Sequence, residues 1–417
     1  YEVQKLYRTG PLSALVQNLS IEDARRTAAG ASGAGHRQAQ GNGPMGTMSD
    51  IARELRETFD KRAGEADLTG TLQPENYEEM AHAGYLKGVV PAELGGLDAD
   101  IVEFATAQRM LGWGCASTAL AVNMHHFQIG AASDGYRTAG KNEAVLRKVA
   151  EESIVLGSTA AEAVVAGAWD TPTTATPDGD DYIVDGRKFF FSQSHVVDLV
   201  RVNARDTHTG EILVLAIPMN APGVSIIDTW DTLGMRATAS NDLVLDHVRV
   251  PTSAVGVRLP AHGPAWDPSF AAVIKWFLSG MTGVYVGIAD RARDLTYESM
   301  GSGPKSHRDE ALSDSMLGDL EVAHLTATAT FERSLERIAA ATDPFEALQI
   351  AIAMKEVCTN AAVAVVDCAV AIVGGRAFHR KSTLERLARD VRAARHHPPA
   401  APVAQQMIGM AARGRHA

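Results

Sequence analysis

The hydrophobic pattern changes its period twice along the chain, and this order constrains the fold more than any other feature. Over residues 49–152 apolar side chains recur at the spacing of amphipathic helices. Over residues 153–251 they alternate, and turn signals such as Asp178-Gly179 and Asp185-Gly186 interrupt them. After residue 268 the helical spacing returns and continues. The order predicts an α+β protein with an N-terminal helical domain, a middle β-barrel or sandwich and a C-terminal four-helix bundle, and it excludes alternating βαβ folds.

The domain boundaries are expected where the period changes, which gives a helical domain at 48–152, a β domain at 153–262 and a helical bundle at 263–417. Residues 1–47 are rich in glycine, alanine, arginine and glutamine, and we interpret them as an added leader or a flexible extension. The first helix is expected to begin at Ser49 or Asp50, since short polar side chains cap helix starts.

Composition narrows the class of protein. The chain has 417 residues, of which 46% are hydrophobic, so it can bury a substantial core. A net charge of -11 disfavours nucleic acid as a partner, and no segment is predicted to span a membrane. The three cysteines, Cys115, Cys358 and Cys368, form neither a metal-binding spacing nor an even disulfide set. We therefore expect a cytoplasmic protein without a metal site.

Several stretches occur together in one order. They are "LKGVVPAELGGLDAD", "DGDDYIVDGRKFFFSQS", "WDTLGMRATASNDLVLDHVRVP" and "AIVGGRAFHRKSTLERLARD". With them, residues 50–412 resemble the acyl-CoA dehydrogenase superfamily of flavoproteins. The third stretch is the most specific of the four.

The resemblance implies a flavin cofactor, FAD or FMN, and residues that hold it. Phe190 takes the aromatic position beside the flavin ring, and Ser192 takes the hydroxyl position near its reactive nitrogen. Thr159 contributes from the neighbouring strand. Gly374 and Gly375 would let the backbone approach the cofactor where a side chain would clash.

A catalytic glutamate is missing from this sequence. The dehydrogenases of the family use a glutamate to remove a proton next to a thioester, at one of two positions. The first is eight residues after Asp390 and is occupied by Pro398; the second lies near Val273 and Ile274. Neither position carries a carboxylate, so the sequence departs from the dehydrogenase pattern.

The end of the chain is similar to the monooxygenase branch of the superfamily, which includes two-component hydroxylases supplied with reduced flavin by a separate reductase. In that branch a histidine follows the Arg-Asp helix and faces the flavin. The resemblance implies His397, with its neighbour His396, as catalytic residues together with Ser192, acting on a small organic substrate. A histidine at a helix end is also a common structural cation.

Other readings stay open at this point. An atypical acyl-CoA or acyl-carrier-protein dehydrogenase with a relocated base such as Glu162 is one, and a non-catalytic flavin- or acyl-binding paralogue is another. His125 and His126 either line the substrate side or are satisfied core histidines.

Two further departures concern the cofactor and CoA tails, because Tyr297 and Ala371 replace an arginine and a glutamine of the family. Arg386, Arg389 and Asp390 are interpreted as a structural ion-pair set, in which Arg389 and Asp390 brace the glycine pair. The resemblance and the nearly all-apolar bundle helices also imply a homo-oligomer, a dimer or tetramer.

Overall fold

The computed structural model describes residues 46–159, 171–261, 268–300 and 307–414. Residues 1–45, most of the segment that we interpret as a leader, lie outside it. The N-terminal part contains five helices: α1 Met48–Thr69, α2 Pro74–His82, α3 Ile101–Gly114, α4 Ala116–Ala139 and α5 Glu143–Glu152.

The first helix is capped by Thr47, two residues before Ser49 and three before Asp50, the predicted caps. The Thr47 side chain accepts a hydrogen bond from the Asp50 backbone N–H, and the Asp50 carboxylate accepts one from the Thr47 backbone in return. Ser49 and Asp50 are therefore helical residues, and the predicted cap at either of them was wrong. Ser49 is buried, and its own backbone N–H donates to Glu103 on α3.

The described residues of the middle part form one hydrogen-bonded sheet of eight strands. The strand order is β6-β7-β3-β2-β4-β5-β8, with β1 paired in parallel to β4. The strands are β1 Leu156–Thr159, β2 Thr174–Asp178, β3 Asp181–Phe191, β4 Leu199–Asp206, β5 Ile212–Pro218, β6 Val224–Ile227, β7 Asn241–Pro251 and β8 Val255–Leu259.

One of the two predicted tight turns is present. Gly179, with φ of 64°, joins the antiparallel strands β2 and β3. The turn predicted at Asp185-Gly186 was wrong, because β3 continues through both residues with only a register shift. A Cβ on Gly186 would lie 2.3 Å from Oγ1 of Thr173, so close packing rather than a turn accounts for this glycine.

The C-terminal part contains α6 Pro268–Met300, α7 His307–Ala340, α8 Pro344–Val373, α9 Thr383–Asp390 and α10 Ala401–Gly414. The helix predicted over residues 383–395 is α-helical only as far as Asp390 and continues as a 3₁₀ helix over Val391–His396. By length and composition Ala271–Met300 and Pro344–Phe378 could each cross a membrane. Both pack against neighbouring helices, and burial in a protein core explains an apolar helix equally well.

The two helical parts share one core through a seam between α3 and α6. A Cβ on Gly287 would lie 2.1 Å from the carbonyl oxygen of Arg109, and one on Gly112 would lie 2.5 Å from that of Val284. The two backbones therefore touch, which no larger residue would permit at these positions.

An ion pair joins the two helical parts, and hydrogen bonds join them to the β domain. Arg389 donates to both carboxylate oxygens of Asp67 on α1, at 2.8 and 2.5 Å, and to the carbonyl of Leu233. Asp390 accepts a hydrogen bond of 2.6 Å from the backbone N–H of Met235. Burial raises the pKa of Asp390 to about 6. These residues brace the segment 233–235, so the prediction that they brace the glycine pair was wrong.

Candidate active site

A cavity of about 770 Å³ lies between the sheet and the helices. That volume is in the range of about 300–1,000 Å³ typical of ligand and cofactor sites. Five of the residues predicted to bind the cofactor or to act in catalysis line it: Thr159, Phe190, Ser192, His396 and His397. Residues far apart in sequence are therefore brought to one space, since β1, β3 and the segment after α9 converge there.

An aromatic side chain projects into this space from the end of β3. Phe190 is 63% exposed, and its ring meets the Trp230 ring edge-on at 6.0 Å between centroids. Its φ of 55° is uncommon for a bulky residue and turns the side chain out of the strand. The arrangement offers an apolar face against which a planar ring can pack.

A row of hydroxyl groups lies beside the aromatic residue. Thr238 donates to the carbonyl of Met235 at 3.0 Å, and its oxygen lies 2.7 Å from Oγ of Ser240. Ser240 in turn lies 2.8 Å from Oγ of Ser192. Because the Thr238 proton is already used, the protons run from Ser192 to Ser240 to Thr238. Ser192 is thereby left with acceptor lone pairs on the side away from Ser240.

Thr159 lies on β1, next to the end of β3. Its hydroxyl donates to the carbonyl of Phe189 at 2.7 Å and so fixes β1 against β3. Gln193 does the same from the other side, since its amide donates to the carbonyl of Leu156 at 2.7 Å while its oxygen accepts from Tyr77.

His397 faces the cavity from the helical side. Its Nε2 lies 2.7 Å from the hydroxyl of Tyr285, a fully buried residue on α6. The described residues offer the Tyr285 proton no other acceptor, so Tyr285 donates, and the neutral imidazole carries its proton on Nδ1. Burial, with the nearby Lys355 and His396, lowers the pKa of His397 to about 4. The ring is therefore neutral at pH 7.

A lysine on α8 holds the segment that carries His397. The ammonium of Lys355 on α8 is 1% exposed and donates to the carbonyl of Pro399 at 2.9 Å and to Glu356 at 2.8 Å. This buried ion pair fixes the chain two residues beyond the histidine. The neighbouring His396 also lines the cavity but is exposed.

The second adjacent histidine pair is structural. His125 lies fully buried between Leu86 and Leu156: its Nε2 donates to the Leu86 carbonyl at 2.7 Å, and its Nδ1 accepts from the Leu156 backbone N–H at 2.9 Å. His126 contacts the Tyr85 carbonyl at 2.9 Å through Nε2. Burial lowers both pKa values, that of His126 to about 4. Neither ring lines the cavity, so these are satisfied core histidines.

Comparison with known proteins adds independent observations. Models of the acyl-CoA dehydrogenase N-terminal, middle and C-terminal domains match residues 47–153, 160–248 and 274–397. L-evernosamine nitrososynthase from a Micromonospora species is 30% identical over 370 residues, which cover 83% of this chain and 85% of that protein. The chain belongs to the acyl-CoA dehydrogenase family.

Other relatives extend this result. The Bacillus subtilis protein named as acyl-CoA dehydrogenase YdbM is 29% identical over 84% of this chain and 92% of its own length. The structure of KijD3 in complex with FMN and a dTDP-linked amino keto sugar superimposes with a TM-score of 0.81, at 25% identity, over 88% of this chain and 93% of that one. The chain is thus a flavin-dependent oxidoreductase of this family, with helical outer domains and a middle sheet domain.

Both positions of the family's catalytic glutamate open onto the cavity. Val273, Ile274 and Pro398 all line it, although they lie far apart in sequence. None of the described lining residues is Asp or Glu. Glu162, the candidate relocated base, lies outside the described residues. The described wall therefore offers a proton-abstracting carboxylate at neither family position.

The glycine pair does not join this group of residues. Gly374 and Gly375 are exposed at the end of α8, and neither lines the cavity. A Cβ on either would meet nothing within 4 Å. Tyr297, at a family arginine position, donates to Glu321 at 2.8 Å, and Ala371 is exposed. The predicted role of the glycine pair at the cofactor stays a prediction.

The sequence interpretation missed four residues that line the cavity, Trp230, Thr238, Ser240 and Arg201, and it missed Tyr285, which contacts His397 from behind the wall. Trp230, Thr238 and Ser240 lie within the most specific family block, so their stretch was found although their contacts were not. Tyr285 is one apolar position among many on a buried helix, and Arg201 is one charge in an alternating strand. No sequence signal separates either from its neighbours.

The described residues contain one group of close potential metal ligands, Asp185, Asp246 and His247. Asp246 and His247 are exposed, and none of the three lines the cavity. His247 is bonded to Asp246 at 2.8 Å, and this hydrogen bond is the largest cause of its raised pKa.

Proposed function

We propose that the protein is a flavin-dependent monooxygenase that oxidises a small organic substrate with O₂, using reduced FMN or FAD supplied by a separate reductase. The observation that carries the proposal is the composition of one cavity. Both positions for the dehydrogenase base are apolar and line it, while a neutral histidine bonded to a buried tyrosine lines it too. A thioester dehydrogenase needs the base, and an oxygenase does not.

The residues on the sheet side fit a flavin. Phe190 supplies the aromatic contact, and the oriented hydroxyl row leaves Ser192 as an acceptor, which suits the N–H that a reduced flavin presents. Thr159 secures the strand that faces it. The cofactor, when bound, supplies the electrons that activate O₂. The protein's own task is to orient it and to keep water out.

On the helical side His397 is a fixed hydrogen-bond donor. Tyr285 occupies Nε2, so Nδ1–H is the ring's free donor and can hold an oxygen atom or a substrate heteroatom in place. A pKa of about 4 keeps the imidazole neutral at pH 7, so it offers this hydrogen bond without carrying a standing charge.

The relatives support oxygenation without fixing the substrate. Nitrososynthases oxidise nitrogen, as the name of the Micromonospora relative states, and KijD3 binds FMN with an amino sugar nucleotide. The relative named as a dehydrogenase is about equally similar. The family alone therefore leaves both reactions open, and the cavity wall favours the oxygenase.

The test compares the two reactions on the same preparation. The full chain is reconstituted with enzymatically reduced FMN or FAD and supplied with O₂ and a panel of amines, phenols and dTDP-linked amino sugars. We expect substrate-dependent oxygen consumption and an oxygenated product. Flavin bleaching by an acyl-CoA under anaerobic conditions would instead support the dehydrogenase reading. A protein that binds neither reduced nor oxidised flavin would support the non-catalytic reading.

We also propose that the protein forms a homodimer or homotetramer in the cytoplasm. Val322 and Leu325 on α7 are 68% and 66% exposed, and Phe378 after α8 is 87% exposed. Cys115, Cys358 and Cys368 are all unpaired, which fits a reducing compartment. Light scattering measures the assembly, and a monomer at micromolar concentration would contradict it.

A further inference from the structure

Arg201 is a cation in the cavity wall that has no partner among the described residues. It lies on β4, paired in register with Ser158 on β1, and its side chain lines the cavity. Its neighbours Val200 and Val202 point to the opposite, fully buried face. In the described part of the chain its guanidinium makes no hydrogen bond, ion pair or ring contact, and burial alone accounts for its lowered pKa.

The other arginines of the cavity wall differ in this respect. Arg389 is bound by Asp67 and Glu385, and Arg392 by Asp367. Their charges are neutralised within the protein, so they have little capacity left for a ligand. Of the three arginines among the described lining residues, Arg201 keeps its donors free.

A half-buried unpaired cation is costly for a folded protein, because a guanidinium stays protonated and loses hydration without gaining a counter-ion. No described lining residue is a carboxylate that could compensate it. A ligand anion would, since a guanidinium binds carboxylate and phosphate through two parallel hydrogen bonds.

The surroundings indicate what else the ligand offers. Val214 on β5 and Val257 and Leu259 on β8 also line the cavity, and β5 pairs with the strand that carries Arg201. An apolar body can pack against them while an anionic group reaches the arginine. Thr159 bonds to β3 and β1 pairs with β4, so β1 separates Arg201 from Phe190.

We propose that Arg201 binds a carboxylate or phosphate group of the organic substrate, so that the substrate is an anion with its oxidisable end toward His397. This inference rests on the proposed function, because the bound anion is a substrate only if the protein is the proposed oxygenase. The binding of an anion at Arg201 is measurable without any turnover.

The test uses the full chain saturated with oxidised FMN and two probe pairs that differ in charge: benzoate with benzamide, and phenyl phosphate with phenol. Isothermal titration calorimetry gives each Kd for the native protein and for Arg201→Gln. We expect each anion to bind about 10- to 100-fold more tightly than its neutral partner, and this preference to disappear in Arg201→Gln. Arg201→Lys, which keeps the charge but not the fork, should retain part of it.

Two controls separate the alternatives. Arg258→Gln, on β8 but paired with Glu211 and outside the described cavity lining, should keep the preference. FMN and riboflavin are titrated into the flavin-free native protein and Arg201→Gln. If the variant loses FMN but not riboflavin affinity, Arg201 holds the flavin phosphate and the inference is wrong. It is also wrong if neither anion is preferred. If the anions are preferred but no substrate-dependent oxygen consumption is found, anion binding at Arg201 is supported and the proposed monooxygenase function is contradicted.

Discussion

The protein contains two pairs of adjacent histidines, and the two pairs have different roles. In the pair His125 and His126 the rings contact backbone carbonyls in the core. In the pair His396 and His397 one ring is exposed and the other meets a tyrosine hydroxyl at the cavity. The difference teaches that a histidine's role follows from its partners: backbone groups consume both ring nitrogens of His125, whereas one side-chain hydroxyl leaves His397 a free donor.

The largest expected effect comes from the cavity pair. His397→Ala should lower product formation by about 100-fold or more, because a positioned hydrogen-bond donor contributes on the order of 10²–10³-fold. Flavin affinity and the melting temperature should change little. The matched control is His396→Gln, for which we expect less than about a twofold change, since that side chain is exposed. Equal losses in both variants would remove the distinction between the two rings.

The core histidine His126 should make the free energy of unfolding depend on pH. His126 has a folded pKa of about 4 against the ordinary 6.5. As the pH falls, His126 therefore binds a proton in the unfolded chain before it does so in the folded protein. The contribution of neutral His126 to the unfolding free energy is present above pH 6.5 and is lost as the pH falls to about 4. The difference of about 2.5 units corresponds to roughly 3 kcal/mol.

Urea unfolding across this window, compared between the native protein and His126→Gln, isolates this contribution. Asp390, whose raised pKa acts with the opposite sign, cancels in the comparison. The decline in unfolding free energy should be smaller in the variant. An identical pH slope in the two proteins would show that His126 is not neutral in the fold.

Replacing the other core ring should destabilise the fold directly. His125→Leu leaves the Leu86 carbonyl and the Leu156 N–H without a partner, which should cost about 2–4 kcal/mol of unfolding free energy. Flavin binding per folded molecule should persist. A variant of native stability that loses activity would place His125 in the reaction instead.

The smallest effect is expected from the Tyr285 hydroxyl, which contacts His397. Tyr285→Phe removes the hydrogen bond to Nε2, so the ring loses its orientation while the apolar contacts remain. We expect product formation to fall about tenfold, in line with a hydrogen bond worth about 1–1.5 kcal/mol. The imidazole tautomer, read by ¹⁵N chemical shifts, should change as well. An unchanged tautomer would show that Tyr285 does not position His397.

The sequence predicted the architecture because periodicity reports which faces are buried, and the order of periods is unambiguous. It also predicted Phe190, Ser192, Thr159 and His397 as lining one site, since their stretches keep a recognisable register. It misplaced the first helix cap and the turn at Asp185-Gly186, because short polar residues and glycines serve several local purposes.

What the sequence did not show depends on contacts between distant segments. Tyr285 lies on α6 and His397 directly follows the 3₁₀ helix Val391–His396, so the two meet only in the folded protein. The isolation of Arg201 is a property of everything around it, and no pattern on its own strand announces it.

The seam at Gly112 and Gly287 has a consequence for how such a protein can diversify. Tyr285 lies between two points where helix backbones touch, so α6 cannot shift to admit a bulkier substrate without breaking that contact. Val214, Val257 and Leu259 on β5 and β8 line the cavity away from this seam, so we expect reshaping of the cavity on that wall. Descendants of this chain with new preferences should therefore differ on the sheet, while the tyrosine and its glycine neighbours persist.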